Sequence, residues 1–155
     1  MGKTIEKIAP LAIHGNLSPR QRAVAYARVS SGKEAMLQSL SSQVSYYSDY
    51  IQRRSDWLYA GVYADEAVTG TKAARPEFQR MLDDCWAGKI DIIVSKSLSR
   101  FARNTVTLLS VLRELKDLGI AAYFEREGIW SNSGDGELLI TILASYAQEE
   151  SFSFS

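Results

Sequence analysis

Short apolar segments alternate with amphipathic segments along most of this chain, and that alternation limits the fold more than any other feature. Residues Ala23-Val24-Ala25-Tyr26-Ala27 form an uninterrupted apolar run, as in a strand that is buried on both faces. Similar short runs occur at 59–63, 91–95 and 120–124. The segments between them have helical spacing. The sequence therefore predicts an α/β fold with a mostly parallel central sheet of about four or five strands and flanking helices.

The helical segments are bounded by ordinary start and stop signals. We predict helices over 39–54, from Pro76 to a stop at Gly88, over 104–118 with Gly119 at its end, and after the glycines of 134–136. No stop signal follows the last of these helices before Ser155. We therefore expect the chain to end inside a longer, truncated helix.

The chain of 155 residues is predicted to contain one domain. Residues 1–21, with Gly15, Pro19 and several polar residues, are expected to be a flexible leader. Residues 22–135 would then form the α/β domain, and 136–155 would begin the truncated helix.

The counts of cysteine and histidine exclude several kinds of site. Cys85 is the only cysteine, so no internal disulfide can form, and we expect a reducing, cytoplasmic setting with Cys85 in the core of a helix. His14, the only histidine, falls in the predicted leader, which argues against a histidine-based catalytic dyad. No run approaches the roughly 20 apolar residues of a membrane span, so no membrane partner is expected.

The balance of charge limits how the chain could bind nucleic acid. Eighteen basic and eighteen acidic side chains give a formal net charge of zero. Proteins that grip nucleic acid by bulk electrostatics carry a marked excess of basic residues. If DNA is the substrate, the basic groups must be concentrated locally, or another domain must supply the affinity.

Hydroxyl and cationic side chains follow the predicted strands, where functional groups of α/β sheets gather. They are Arg28 and Ser30 after the first strand, Asp65 and then Arg75 after the second, and Lys96, Ser99, Arg100 and Arg103 after the third. A serine hydroxyl can attack phosphorus, and guanidinium groups match the charge on phosphate oxygens. The set suits phosphoryl transfer.

Other interpretations of these residues stay open at this point. The arginines could be surface residues in salt bridges, and Ser30 could be a turn residue or a helix cap. A nucleotide- or phosphosugar-binding α/β enzyme would want a glycine-rich phosphate loop after the first strand, but residues 29–32 contain only Gly32. A catalytically idle, DNA-associated assembly module is a further alternative.

Several blocks of sequence resemble the serine recombinases, the resolvase and invertase family. They are Tyr26-Ala27-Arg28-Val29-Ser30, Ser39-Leu40-Ser41-Ser42-Gln43, Asp65-Glu66-Ala67-Val68-Thr69-Gly70, Arg75-Pro76-Glu77-Phe78, Lys96-Ser97-Leu98-Ser99-Arg100-Phe101-Ala102-Arg103-Asn104, and 141–151. These blocks stand in the family's order and span about residues 22–151. The resemblance implies a resolvase-like catalytic domain.

The resemblance also implies roles for individual residues. Ser30 would be the nucleophile, Arg28, Arg100 and Arg103 the phosphate-binding arginines, Arg75 a further active-site arginine, Gln43 a polar active-site residue, and Asp65 an acidic group that orients an arginine. Lys96 and Ser99 would contact DNA phosphate. A helix-surface amide and a strand-end cap are the structural alternatives for Gln43 and Asp65.

In one place the sequence departs from the small resolvases, which usually carry aspartate where Ser99 stands. A serine is a much weaker acid, so protonation of the leaving oxygen by this position is in doubt. The segments 99–101 and 148–151 look more like the large serine recombinases, such as phage integrases and transposon-excising enzymes. Those have long C-terminal regions that read the DNA, and such a region is absent from this sequence.

The mechanism implied by the resemblance is strand cleavage through a 5′-phosphoserine intermediate, followed by rejoining, in the integration or excision of a mobile element. Double-stranded DNA would be the partner, with a dimer on DNA and a tetramer in the synapse, and a directionality factor could take part. No cofactor and no metal are implied. The apolar stripe of Leu138, Ile142 and Tyr146 fits the family's oligomer contact, with packing on the chain's own sheet as the alternative.

Overall fold

The computed structural model describes residues 19–67, 75–102 and 104–153, with side chains up to Gln148. The elements in chain order are β1 (Gln21–Val29), α1 (Lys33–Gln52), β2 (Trp57–Glu66), α2 (Pro76–Trp86), β3 (Ile92–Ser95), α3 (Leu98–Phe101), α4 (Thr105–Asp117), β4 (Ala121–Phe124), β5 (Ile129–Trp130) and α5 (Gly134–Ser153). None of these helices, within the ranges just given, could serve as a membrane-spanning segment.

The strands form one sheet in the order β2-β1-β3-β4-β5. The first four strands are parallel, and β5 pairs antiparallel with β4. The predicted mostly parallel α/β sheet is therefore confirmed. β1 lies between β2 and β3 and is parallel to both. Arg28 and Ser30, which follow its apolar run at 23–27, therefore lie at the carboxyl end of an interior strand.

Each face of the sheet has its own apolar core, and alternate residues of β1 are divided between the two. Ala23, Ala25 and Ala27 pack against α1, together with Tyr47 and Ile51 of that helix. Val24 and Tyr26 face the other way and join a larger core. The members that α2 and α4 contribute to this larger core are Phe78, Met81, Leu82, Cys85, Leu108, Leu109, Val111, Leu112 and Leu115. Small residues on one face let α1 lie close, while the bulkier side chains fill the other.

Cys85 lies in the larger core, as predicted, with 2% of its surface exposed. Burial, with smaller contributions from Glu114 and Asp84, raises the pKa of its thiol to about 12. The side chain therefore acts as a small apolar residue on α2.

Several element boundaries differ from the sequence-based expectation. The first strand begins at Gln21, so the predicted leader at 1–21 ends too late; residues 1–18, including His14, lie outside the described part of the chain. Helix α1 begins at Lys33 rather than at residue 39. Its first turns carry no buried stripe, and Leu37 is 54% exposed, so apolar periodicity could not reveal them.

Strand β2 extends from Trp57 to Glu66, well beyond the predicted 59–63. The pairing with β1 shifts register between Ala23 and Val24, whose partners are Tyr59 and Gly61. Gly61 has a φ of 129°, a conformation open to glycine but not to side chains with a Cβ. This irregularity breaks the period of two, which is why the pattern showed only the middle of the strand.

Helix α5 begins at Gly134, although residues 134–136 were expected to precede it. Ser133 explains the earlier start, because its Oγ accepts the backbone N–H of Gly136 at 3.1 Å and so caps the helix. Asp135 and Glu137 in the first turn favour the same start. The boundary between the α/β domain and the last helix is thus two residues earlier than predicted.

Close contact between the start of α5 and the end of β5 depends on Gly136. A Cβ at this position would lie 2.3 Å from the carbonyl oxygen of Ser131 and 2.4 Å from that of Trp130. Both of those atoms are backbone and cannot rotate away. Glycine therefore allows α5 to leave the sheet at this distance and direction.

We predict that Gly136→Ala destabilises the protein by about 1–3 kcal/mol, the usual cost of forcing extra volume into a packed site. Gly134→Ala is the matched control, since a Cβ there would meet nothing within 4 Å. The free energy of unfolding, from urea titration followed by circular dichroism, compares the two variants. Equal stability of the two variants would contradict the close packing described for Gly136.

Candidate active site

A cleft of about 300 Å³ opens beyond the carboxyl ends of β1 and β3, beside α1. Its lining residues are Tyr26, Ala27, Arg28, Ser42, Gln43, Tyr46, Tyr47, Lys96 and Arg100. Four of the predicted site residues, Arg28, Gln43, Lys96 and Arg100, therefore lie around one space. They come from three separate segments of the chain, which the parallel sheet brings together at one edge.

The cationic side chains of the cleft lack acidic partners in the described ranges. Arg28, Lys96 and Arg100 do not occur in any of the ion pairs found there. The Nε atom of Arg28 is buried and, among the same residues, has no hydrogen-bond partner. Leaving a buried donor unpaired typically costs about 1–3 kcal/mol. The salt-bridge interpretation does not describe these arginines, and their donors are available to an anion.

Ser30 lies just beyond β1, exposed to solvent and two residues from Arg28. It does not line the cleft. It is not a helix cap either, because the residue that precedes α1 in the capping position is Gly32, with no side-chain cap. The neighbouring Ser31 donates its hydroxyl to the carbonyl oxygen of Ala67. Within the described residues, the Ser30 hydroxyl makes no such hydrogen bond.

Asp65 is a buried cap rather than a partner of an arginine. Its carboxylate accepts hydrogen bonds from the Tyr26 hydroxyl at 2.8 Å and from the backbone N–H groups of Glu77 and Phe78, both at 2.9 Å. Burial and this hydrogen bond raise the pKa of Tyr26 well above its usual range. The expectation that Asp65 orients an arginine directly finds no support among the described contacts. The strand-end cap is the role that the geometry shows, since Asp65 ties β1 and β2 to the N-terminus of α2.

Arg75 contacts residues next to the cleft without lining it. Its Nη1 donates to the carbonyl oxygen of Arg100 at 3.2 Å, and its guanidinium stacks 3.7 Å from the ring centroid of Phe78. Burial lowers the pKa of Arg75, and the nearby Arg28 acts in the same direction. Arg75 is not among the lining residues of the cleft. Its contact with the cleft is indirect, through the backbone carbonyl of Arg100.

The remaining predicted residues differ in how closely they approach the cleft. Gln43 is half-buried and lines it, which does not fit a helix-surface amide. Lys96 is exposed and lines it as well. Ser99 is exposed, with its Oγ 3.1 Å from that of Ser97, the capping residue of α3. Arg103, like the block at 68–70, lies outside the described residues.

Residues 23–153 match the family described as resolvase, N-terminal domain. The chain belongs to this family. The resemblance seen in the sequence motifs is therefore confirmed at the level of the resolvase family, while the closer likeness to the large serine recombinases stays a prediction.

Two curated relatives of this resolvase-family chain are named for bacterial transposons. Transposon Tn3 resolvase of Escherichia coli is 31% identical over 132 residues, which cover 83% of this chain and 63% of that protein. Transposon Tn552 DNA-invertase BinR of Staphylococcus aureus is 30% identical over 129 residues, covering 82% of this chain and 60% of that protein. The chain thus spans less than two thirds of the length of these relatives.

Two solved structures share the fold. The N-terminal catalytic domain of TP901-1 integrase has a TM-score of 0.71 at 23% identity, covering 87% of this chain and 100% of that one. A resolvase family site-specific recombinase from Streptococcus pneumoniae has a TM-score of 0.68 at 29% identity, covering 87% and 91%. The first likeness concerns the fold alone, and the second agrees with the family.

The sequence analysis missed an aromatic and acidic group at the wall of the cleft. Tyr46 and Tyr47 of α1 line the cleft, and both donate their hydroxyls to Glu125, which follows β4. The hydrogen bond to Glu125 is the main cause that raises the pKa of Tyr46 to about 12. Glu125 directly follows a predicted strand, so the rule that identified the other residues also pointed to it. None of the family blocks covers it, which is why it was passed over.

We predict that Asp65→Ala lowers the free energy of unfolding by about 2–4 kcal/mol, because two buried donors and one half-buried donor lose a carboxylate acceptor. Tyr26→Phe is the matched control, since it removes one of the same hydrogen bonds and should cost about 1 kcal/mol. Urea unfolding measures both variants. If Asp65→Ala stays within about 0.5 kcal/mol of the parent protein, the carboxylate does not hold this corner of the fold.

Proposed function

We propose that this chain is the catalytic domain of a serine recombinase, which cleaves and rejoins DNA strands at specific sites through a covalent bond to Ser30. The observation that carries the proposal is the cleft itself. Arg28, Lys96 and Arg100 meet there without acidic partners, and a buried arginine donor has no protein acceptor in the described ranges. The serine with an unengaged hydroxyl stands two residues from one of these arginines.

The chemistry is a transesterification at a DNA phosphodiester. The Oγ of Ser30 attacks phosphorus and loses its proton to solvent at the exposed loop. The bond from phosphorus to O3′ breaks, and O3′ takes up a proton to become a free 3′-hydroxyl. In rejoining, a 3′-hydroxyl attacks the phosphoserine and Ser30 leaves. One ester replaces another in each step, so no nucleotide hydrolysis is needed to reseal the strand.

Guanidinium groups have two functions in this reaction. They neutralise the phosphate on binding, and their paired planar donors follow the charge that grows on the non-bridging oxygens in the transition state. Arg28 of β1 and Arg100 of α3 both line the cleft and supply such groups. We propose the same role for Arg103 from its place in the family motif. Arg75 would hold Arg100 in place through the backbone of that residue.

The position of Ser30 outside the cleft implies a movement before attack. We propose that DNA binding carries the loop that follows β1 toward the phosphate. The described contacts of that loop are the pairing of Val29 with Glu66, the hydrogen bond of Ser31 to Ala67 and that of the Gly32 N–H to Glu66, and none of them involves Ser30. Catalysis would then depend on substrate, and an unbound copy would not display an assembled site.

The zero net charge supports a division of labour with a DNA-reading region elsewhere in the full-length protein. The cleft can hold one phosphate but forms no basic stripe along a duplex. We propose double-stranded DNA carrying a crossover site as the substrate, and integration or excision of a mobile element as the outcome. A directionality factor remains a proposed partner.

Exposed apolar residues on the last helix support the proposal that several copies assemble. Leu139 and Leu143 of α5 face the core, whereas Leu138, Ile142 and Tyr146 are 59%, 44% and 57% exposed. The stripe is therefore not used for packing on the chain's own sheet. We propose that it contributes to a dimer on DNA and to a tetramer in the synapse.

We predict that Ser30→Ala abolishes both strand cleavage and covalent protein–DNA adducts in the full-length protein, because no other oxygen replaces the nucleophile. Ser31→Ala is the matched control and should retain adduct formation, since the Ser31 hydroxyl is engaged with Ala67. The assay is a denaturing gel of labelled crossover-site DNA, in excess EDTA. Adducts that persist in Ser30→Ala, or disappear only in Ser31→Ala, would assign the nucleophile elsewhere.

We predict that Arg100→Lys slows single-turnover cleavage by on the order of a hundredfold, because lysine keeps the charge but loses the planar pair of donors. Arg113→Lys tests the same exchange on the exposed surface of α4 and should leave the rate unchanged. A near-normal rate for Arg100→Lys would show that its guanidinium does not contact the reacting phosphate.

A further inference from the structure

Glu125 joins two tyrosines of α1 to the segment that follows β4. The Tyr46 hydroxyl donates to Oε2 at 2.5 Å, and the Tyr47 hydroxyl donates to Oε1 at 2.8 Å. Each oxygen of the Glu125 carboxylate therefore accepts one hydrogen bond from α1. Hydrogen bonds to an ionised acceptor are roughly twice as strong as neutral ones. The two contacts span 79 and 78 residues of sequence, and they join α1 to the carboxyl end of β4.

Glu125 begins the turn at 125–128, and this turn is hydrogen-bonded to residues 95–98, next to Lys96 and Arg100. The N–H of Glu125 donates to the carbonyl oxygen of Ser95 at 3.0 Å, and that of Arg126 donates to Lys96 at 2.8 Å. The N–H of Leu98 donates to Oε1 of Glu127 at 3.1 Å. Residues 95–98 thus lie on the turn at three points. A displacement of the turn would move Lys96 and Arg100 with it.

These contacts join Glu125 to both segments of the chain that line the cleft. Gln43, Tyr46 and Tyr47 line it from α1, and Lys96 and Arg100 line it from the residues that follow β3. Burial and the hydrogen bond to Glu125 raise the pKa of Tyr47, while Arg100 is near enough to oppose that rise. Both oxygens of Glu125 accept tyrosine hydroxyls, and among the described residues its carboxylate forms no ion pair with Lys96 or Arg100.

Core packing does not account for this arrangement. Helix α1 is anchored on the sheet by Tyr47 and Ile51, which are almost fully buried. Tyr46, by contrast, is 48% exposed and still directs its hydroxyl to Glu125. An exposed tyrosine contributes little to the core, so its hydrogen bond is better explained by the cleft that it lines.

We propose that Glu125 is a positioning residue for strand cleavage: by holding Tyr46 and Tyr47 it fixes the spacing between Gln43 and the Lys96–Arg100 segment across the cleft. This inference rests on the proposed function. Its negative charge also offsets part of the cationic potential, so a phosphate is retained only when it fits the arginine donors. Loss of Glu125 should therefore slow cleavage through geometry without weakening DNA binding, because a negative charge is lost, and a purely structural residue lacks this signature.

The test is Glu125→Gln in the full-length protein, with single-turnover cleavage measured over a range of DNA concentrations. We expect the maximal rate to fall on the order of ten- to a hundredfold through misplacement of the phosphate. The half-saturating DNA concentration should stay the same or fall, because a negative charge has been removed. Asp49→Asn, which removes an exposed carboxylate from the other side of α1, controls for charge and should match the parent protein.

Tyr46→Phe and Tyr47→Phe separate geometry from charge. Each removes one hydroxyl and leaves the carboxylate in place, so each should reduce the rate without tightening DNA binding. Because all three residues act through one contact, adding Glu125→Gln to the double tyrosine variant should cause little further loss. Thermal unfolding shows whether each variant is folded. If Glu125→Gln fails to fold, Tyr46→Phe decides, and a parent-like rate for it overturns the proposal.

Failure of this inference can be told apart from failure of the proposed function. If the parent protein forms no adduct at Ser30, the recombinase proposal is wrong. A titration with inorganic phosphate, at ionic strength matched with chloride, then tests Glu125 alone through the rise in melting temperature on binding. Glu125→Gln must hold phosphate at least as tightly as the parent. Weaker phosphate binding, or a parallel loss of rate and DNA affinity in the cleavage assay, would overturn the positioning role.

Discussion

The Asp65 carboxylate is buried at the end of β2 and accepts hydrogen bonds from the Tyr26 hydroxyl and from two backbone N–H groups of α2. Those three contacts join β1, β2 and the N-terminus of α2, which begins next to Arg75. Arg75 in turn holds the carbonyl oxygen of Arg100. The cleft therefore depends on a group that does not line it. A buried carboxylate would be costly without partners, and here its donors come from the elements that must be aligned.

The chain keeps its cations unpaired in one place while remaining neutral as a whole. Elsewhere, arginines pair with nearby acids, as Arg22 does with Asp91 and Arg80 with Glu77. Glu125 is bonded to two tyrosines that line the cleft, and Asp65 to a third. Among the described residues, neither carboxylate forms an ion pair with the cations of the cleft. The local field is preserved without an excess of basic residues in the domain.

The sequence was informative where burial leaves a periodic pattern. The parallel sheet, the order of elements and the presence of Arg28, Lys96 and Arg100 at one edge all followed from short apolar runs and the residues after them. Periodicity could not show the first turns of α1, which are exposed, or β5, which has two residues. Long-range hydrogen bonds leave no local signal either. Consequently, the sequence offered a strand-end cap only as an alternative for Asp65, and the partnership of Glu125 with two tyrosines emerged only from the structure.

The place of β1 in the sheet has a consequence for how the chain folds as it is synthesised. β1 is the earliest of the described strands, yet its partners are β2 and β3, and β3 ends at Ser95. The edge of β1 that pairs with β3 stays open until more than sixty further residues have left the ribosome, as the positions of Val29 and Ser95 show. Parallel pairings between distant segments form slowly and leave strand edges open to other chains. Early exposure of this strand edge makes the nascent chain, rather than the finished domain, the form most in need of protection from aggregation.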